Sequence, residues 1–167
     1  MVDAVATELR VSFGRPAVRA AATSEESLPG GESADFAPFQ RSGAELGLST
    51  ATVEHILTHF GTEAAAIFNL GRDNRDLLEP LHPGHPAIRA EVIHIVRREL
   101  AQKLEDTLVR RLHIYYETAD RGAAAVEDVA HLMGEELRWT PDELEKRVNE
   151  YRDHIERSST VPPMGED

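Results

Sequence analysis

Apolar residues recur at helical spacing along most of this chain. Ser49 is a residue type that caps helix N-termini, and Val53, Ile56, Leu57 and Phe60 follow it at i, i+3, i+4 and i+7. The pattern predicts a helix that Gly61 stops. Thr62 then predicts a second helix through Ala64, Ile67, Phe68 and Leu70, ended by Gly71, and a short turn at Asp76–Leu78. The run Pro80 to Pro86 reads as a turn-rich loop. Pro86 suits a first helical position, and Ile88, Val92, Ile95, Val96 and Leu100 continue from it. Leu104, Leu108, Leu112 and Tyr115 extend the stripe, as one helix or as two with a break near 101–103. Val126, Val129, Ala130, Met133 and Leu137 predict a further helix. Thr140-Pro141-Asp142-Glu143 combines an N-cap, a proline at the first position and a capping-box glutamate, and opens a last helix with Leu144, Val148, Tyr151 and Ile155.

The N-terminal part differs. Val2, Val5, Ala6 and Leu9 share one face of a short helix over residues 1–9. Pro16, Pro29, Gly30, Gly31 and Pro38 then interrupt any periodicity, so residues 10–40 read as an irregular connector with at most a short strand near Val11 or Val18. The expected organisation is a short helix and connector over 1–40, a helical domain over 41–157 and a tail over 158–167. The fold class is all-α, a bundle-like helical domain. Scarce aromatics and abundant alanine agree with that reading.

Charge and composition narrow the chemistry. Against 18 Lys and Arg stand 30 Asp and Glu, a net charge of −12 that repels nucleic acid and anionic membrane. With no cysteine there is no disulfide, thiolate metal site or cysteine nucleophile. No stretch approaches the ~20 apolar residues of a membrane span, and the acidic start lacks signal-peptide character, so a cytoplasmic location is expected. Neither dinucleotide nor P-loop fingerprint occurs. His55 and His59 lie i, i+4 but without the glutamate of a metalloprotease motif, and read as helix-surface imidazoles. His82 and His85 flank Pro83-Gly84 and read as turn punctuation. Two short helices about Gly61 have a helix-turn-helix outline, yet their charges are Glu54 and Glu63, with no cation before Arg72. A DNA-binding regulator is therefore an alternative reading of low rank, and a metal hydrolase ranks below it.

The densest charge constellation runs from Glu91 to Arg111. Glu99 with Lys103 and Asp106 with Arg110 are spaced for helical ion pairs. A sharper reading turns Arg110 or Arg111 inward, to join helices through bidentate bonds to Glu99 or Asp106.

The same stretch, EVIHIVRRELAQKLEDTLVRR, resembles the signature of the C-terminal domain of FAD-dependent glycerol-3-phosphate dehydrogenases, E-x-x-x-x-x-x-x-E-x-A-x-T-x-x-D-x-L-x-R-R-T. Glu91, Glu99, Ala101, Asp106, Leu108, Arg110 and Arg111 match it. Leu28-Pro29-Gly30 resembles a linker motif, His59-Phe60-Gly61 a Y-G helix end, Pro80 to Gly84 a P-L-x-P-G loop, and Leu132 to Trp139 an L-M-x-x-E-L-G-W segment. Lys103 and Leu112 stand where the family has Thr, and Arg138 where it has Gly. The resemblance covers about residues 1–155 and implies the last third of such an enzyme. In that family, FAD, substrate and catalytic groups belong to an N-terminal domain. The resemblance thus implies no catalytic, cofactor-binding or metal residue in this chain, with Glu91, Glu99, Asp106, Arg110 and Arg111 as a structural motif. It also implies a flavin-containing dehydrogenase domain, or a second copy of the chain, as partner, no nucleic acid, and a place beside the membrane only through that partner. A complementing subunit of a split dehydrogenase and a vestigial product are its other readings.

Overall fold

The computed structural model describes residues 26–159. The helix expected over 1–9, the strand near Val11 or Val18 and the last eight residues lie outside them. The described chain is mostly helical, with a single hairpin among its described elements.

Helix α1 (Ala37–Glu45) crosses the expected connector boundary. Pro38 does not break it, because in the first turn its missing N–H has no intrahelical partner to lose. The Asp35 carboxylate accepts the free Ala37 N–H at 3.1 Å. Helix α2 (Thr50–Phe60) begins as its pattern predicts, with Ser49 Oγ accepting the Thr52 N–H at 3.1 Å. Gly61, at φ 55°, ends it and starts a 3-10 turn over Gly61–Glu63. Helix α3 (Ala64–Asp73) runs through Gly71 instead of stopping there. That glycine is needed for space: a Cβ would come 2.1 Å from Leu78 Cδ2, where the following 3-10 turn (Arg75–Leu78) folds back on the helix.

The expected loop at 80–86 is an antiparallel hairpin, β1 (Pro80–His82) with β2 (His85–Ile88), in which His82 pairs with His85. Pro86 sits inside β2, and helix α4 (Arg89–Glu99) starts three residues later than its proline suggests. A residue before proline is pushed to extended backbone, so His82 and His85 favour strand over helix. Glu91 sets the true start by accepting the Ile88 N–H at 2.8 Å.

Every residue from Ala90 to Val96 is buried, so α4 is the central helix, enclosed all round. Its stripe breaks at Leu100, which adopts φ 57°. The expected second stretch divides into α5 (Leu104–Leu108) and α6 (Ile114–Glu117), separated by His113 at φ 57°. A 3-10 turn at Ala123–Ala125 leads into α7 (Val126–Leu137), which packs along α4. Helix α8 (Pro141–Ser159) opens on the expected capping box: Glu143 accepts the Thr140 N–H at 2.8 Å, and Thr140 Oγ1 accepts the Glu143 N–H at 3.3 Å. It runs past residue 158 and covers α7 and α5. Ile56, Ile67, Phe68, Ile95, Leu108, Met133 and Tyr151 form the fully buried centre.

One backbone crossing ties the N-terminal described residues to this body. Gly30 (φ 86°) and Gly61 (φ 55°) lie face to face. A Cβ on Gly61 would stand 2.0 Å from the Gly30 carbonyl oxygen, and one on Gly30 would stand 2.6 Å from the Phe60 carbonyl oxygen. The Thr62 N–H donates to Gly30 O at 2.9 Å, and the Thr62 hydroxyl to Glu32.

Candidate functional site

The five motif residues occupy two places. Glu91 is completely buried at the start of α4. One of its oxygens caps the helix, and the other stands 3.1 Å from His55 Nε2 but out of line for a hydrogen bond. Glu99, Asp106, Arg110 and Arg111 gather at the corner between α4 and α5. Leu100 in the left-handed region turns the chain there. Lys103, standing where the family has Thr, offers no side-chain cap, and Asp106 supplies it: Oδ2 accepts the Gln102 and Lys103 N–H groups at 3.1 and 3.0 Å. Burial raises the Asp106 pKa, but those two N–H donors and the Arg110 charge outweigh it and hold the carboxyl below its ordinary range.

Arg111 is the residue that joins the two helices. Its Nε donates to Glu99 Oε2 at 2.7 Å, Nη2 to the Glu99 carbonyl at 2.8 Å and Nη1 to the Asp106 carbonyl at 3.1 Å. A planar guanidinium satisfies three acceptors at once, including two carbonyls left open where the helix stops. Arg110 points outward and meets Asp106 at 2.5 Å within its own turn.

A second constellation went unread in the sequence. His55 is buried in α2, not set on the helix surface, because Glu91 and His85 close over it. The ring of His55 lies 4.2 Å from that of His59 and 5.0 Å from that of His85, and His59 is 5.5 Å from His113. The hairpin histidines do more than punctuate a turn. Nδ1 of His82 accepts the Gly84 N–H at 2.9 Å, and Nδ1 of His85 accepts the Ala87 N–H at 3.2 Å. Those bonds place each ring proton on Nε2, which donates to Asp120 Oδ1 at 3.1 Å from His82 and to Glu117 Oε2 at 3.0 Å from His85. The two imidazoles thus pin the hairpin to the α6 region. Asp120 also accepts N–H bonds from Gly122 and Ala124. Burial raises its pKa, and these donors with Thr118 and His82 outweigh that, taking it to about 2. The His-Pro-Gly-His spacing was visible, but its partners stand 32 and 38 residues away.

Further charges join α4 to α7: Arg89 to Asp128 at 2.6 Å and Arg97 bidentately to Glu136 at 2.7 and 2.8 Å. Tyr151, fully buried, donates to the Arg121 carbonyl at 2.9 Å, and burial raises its phenol pKa. A cleft of about 570 Å³ lies between the start of α2 and the hairpin and is lined mainly by apolar atoms of residues including Leu48, Leu78, Pro83, Pro86 and Ile88. No group of three or more metal-ligating side chains occurs among the described residues.

Fold and site together define a mostly helical domain whose arginines and hairpin histidines bond to its own elements. The model of one family, described as the C-terminal domain of alpha-glycerophosphate oxidase, matches residues 21–144, and the chain belongs to that family. It is 30% identical over 110 residues to a glycerol-3-phosphate dehydrogenase of Mycobacterium leprae, covering 66% of this chain and 19% of that protein. It is 27% identical over 111 residues to one of Synechocystis sp., covering 66% and 20%. A mitochondrial glycerol-3-phosphate dehydrogenase of Arabidopsis thaliana is 24% identical over 109 residues, covering 65% and 17%. The chain therefore spans about a fifth of the length of these relatives. No solved structure matches it.

Proposed function

We propose that this chain is a helical domain of a flavin-dependent glycerol-3-phosphate dehydrogenase, structural in role, which acts by docking on a flavin-bearing domain or assembling subunits. The reaction it serves oxidises glycerol 3-phosphate to dihydroxyacetone phosphate, with electrons passing through FAD to quinone. The match of residues 21–144 to the family's C-terminal domain carries this reading.

The geometry supports assigning the flavin to another domain. A dinucleotide pyrophosphate needs open backbone N–H groups where a strand feeds a helix. The strand-to-helix junction described here, Ile88 to Glu91, has a buried carboxylate folded onto its N–H group. That carboxyl group already occupies the N–H donor a phosphate would need, and an antiparallel hairpin precedes it in place of a parallel unit. These residues do not fit FAD, and no chemical step is assigned to them. A cytoplasmic location, at the membrane only through the partner, belongs to the same proposal; no described helix is long and apolar enough to cross a membrane.

The test is recovery of the tagged chain from the cells that make it. The expected result is a stoichiometric flavoprotein that oxidises glycerol 3-phosphate only while the chain remains bound. Recovery as an assembly of its own copies assigns the subunit-assembly role, whereas a lone monomer without any flavoprotein, or flavin or dehydrogenase activity in the purified chain alone, overturns the proposal.

A further inference from the structure

His85 sits where three elements meet. Its side chain is 1% exposed. Helix α2 presents His55 to it at 5.0 Å between rings, and Glu91 of α4 lies behind His55 at 3.1 Å. Strand β1 presents His82, and α6 presents Glu117 at 3.0 Å. Asp120 reaches the group through His82, and His59 and His113 through His55.

Both ring nitrogens of His85 are committed. Nε2 carries a proton toward Glu117, and the Nδ1 lone pair holds the Ala87 N–H. A second proton has one place to go, Nδ1. There it turns an acceptor into a donor facing another donor, so the Ala87 N–H loses its partner inside the strand. The new positive charge is also buried beside the His55 ring, with little solvent contact to stabilise it. The Glu117 bond strengthens with the same charge, so the yielding seam is the one between β2 and α2, which borders the apolar cleft. We propose that His85 is a proton-operated latch: a second proton, taken up on Nδ1 in mild acid, expels the Ala87 N–H and parts strand β2 from helix α2.

The energetic direction agrees. Burial first, and the electrostatic coupling to His55 second, pull the His85 pKa below its ordinary value, against the opposing pull of Glu117. The folded state therefore takes the proton less readily than the unfolded chain. Stability from neutral His85 is complete above the unfolded value of ~6.5 and is lost as pH falls through that value toward the lower folded one.

The experiment is an NMR titration of the whole isotope-labelled chain from about pH 8 to about pH 5. At the upper end His85 is expected as the Nε2–H tautomer with a protected Ala87 amide. On acidification Ala87 protection, corrected for intrinsic exchange, should fall about tenfold further than that of Val129 in α7. In His85→Asn, Oδ1 can still accept the N–H two residues on but does not titrate, so protection should persist across the range. An Nδ1–H tautomer at neutral pH, or Ala87 protection that tracks Val129, overturns the latch. So does an acid loss that survives His85→Asn. Should that variant not fold, the tautomer and exchange of the wild-type chain still decide.

Discussion

Arg110 and Arg111 are adjacent and equally charged, yet one backbone step sends them to different work. Arg110 is 63% exposed and pairs within its own turn, the kind of contact worth roughly 0.3–0.5 kcal/mol. Arg111 is 26% exposed and holds a carboxylate and two helix-end carbonyls. Arg111→Ala should cost about 2 kcal/mol in a denaturant titration, whereas Arg110→Ala should stay within about 0.5 kcal/mol of the parent. Equal losses would remove the distinction. Asp120 makes a pH prediction of its own. With its pKa at about 2, its contribution is present above the unfolded value of ~3.9 and is lost as pH falls toward the folded value. Asp120→Asn should therefore melt lower than the parent at neutral pH, and the two melting curves should converge on acidification toward about pH 2. The doublet of arginines was legible in the sequence, since spacing brought both within reach of Glu99 or Asp106. Which of them turns inward was not, because the choice depends on Leu100 and on carbonyls that only the folded corner leaves open.

At the scale of elements, local signals were read well where the partner lies within a turn or two. Ser49 and Thr140 cap as their patterns predict because cap and donor are three residues apart. Gly71 and Pro86 misled, because tertiary packing decided each of them: Leu78 claims the space beside Gly71, and the hairpin claims Pro86. The burial of His55 was illegible for the same reason, its enclosing groups coming from α4 and β2. Gly43, on the face of α1 that meets α2, gives an element-scale prediction. Alanine favours a helix interior over glycine by about 1 kcal/mol. Here a Cβ would stand 2.5 Å from Val53 Cγ2 and 3.3 Å from Phe68 Cζ, and valine on a helix has no second low-energy rotamer to take. Gly43→Ala should destabilise by about 1–3 kcal/mol despite its helix propensity, and a raised melting temperature would show that α1 can slide off α2.

At the scale of the molecule, the net charge of −12 coexists with arginines that meet carboxylates across elements. Arginines join α4 to α7 and α4 to α5, with Arg97 gripping Glu136 through two bonds and Arg111 spanning the corner, and so help to fix how these helices meet. The family resemblance was legible because its motifs fall at corners, and the structure shows two of them to be halves of one contact. Leu28-Pro29-Gly30 and His59-Phe60-Gly61 meet where Gly30 crosses Gly61. Each glycine denies the other a side chain, so neither position can drift without its counterpart. For anyone building chimaeras, that crossing sets the splice point: a graft joined ahead of Leu28 carries the clasp with it, while one joined beyond Gly31 leaves Gly61 facing a foreign backbone that has no reason to fit.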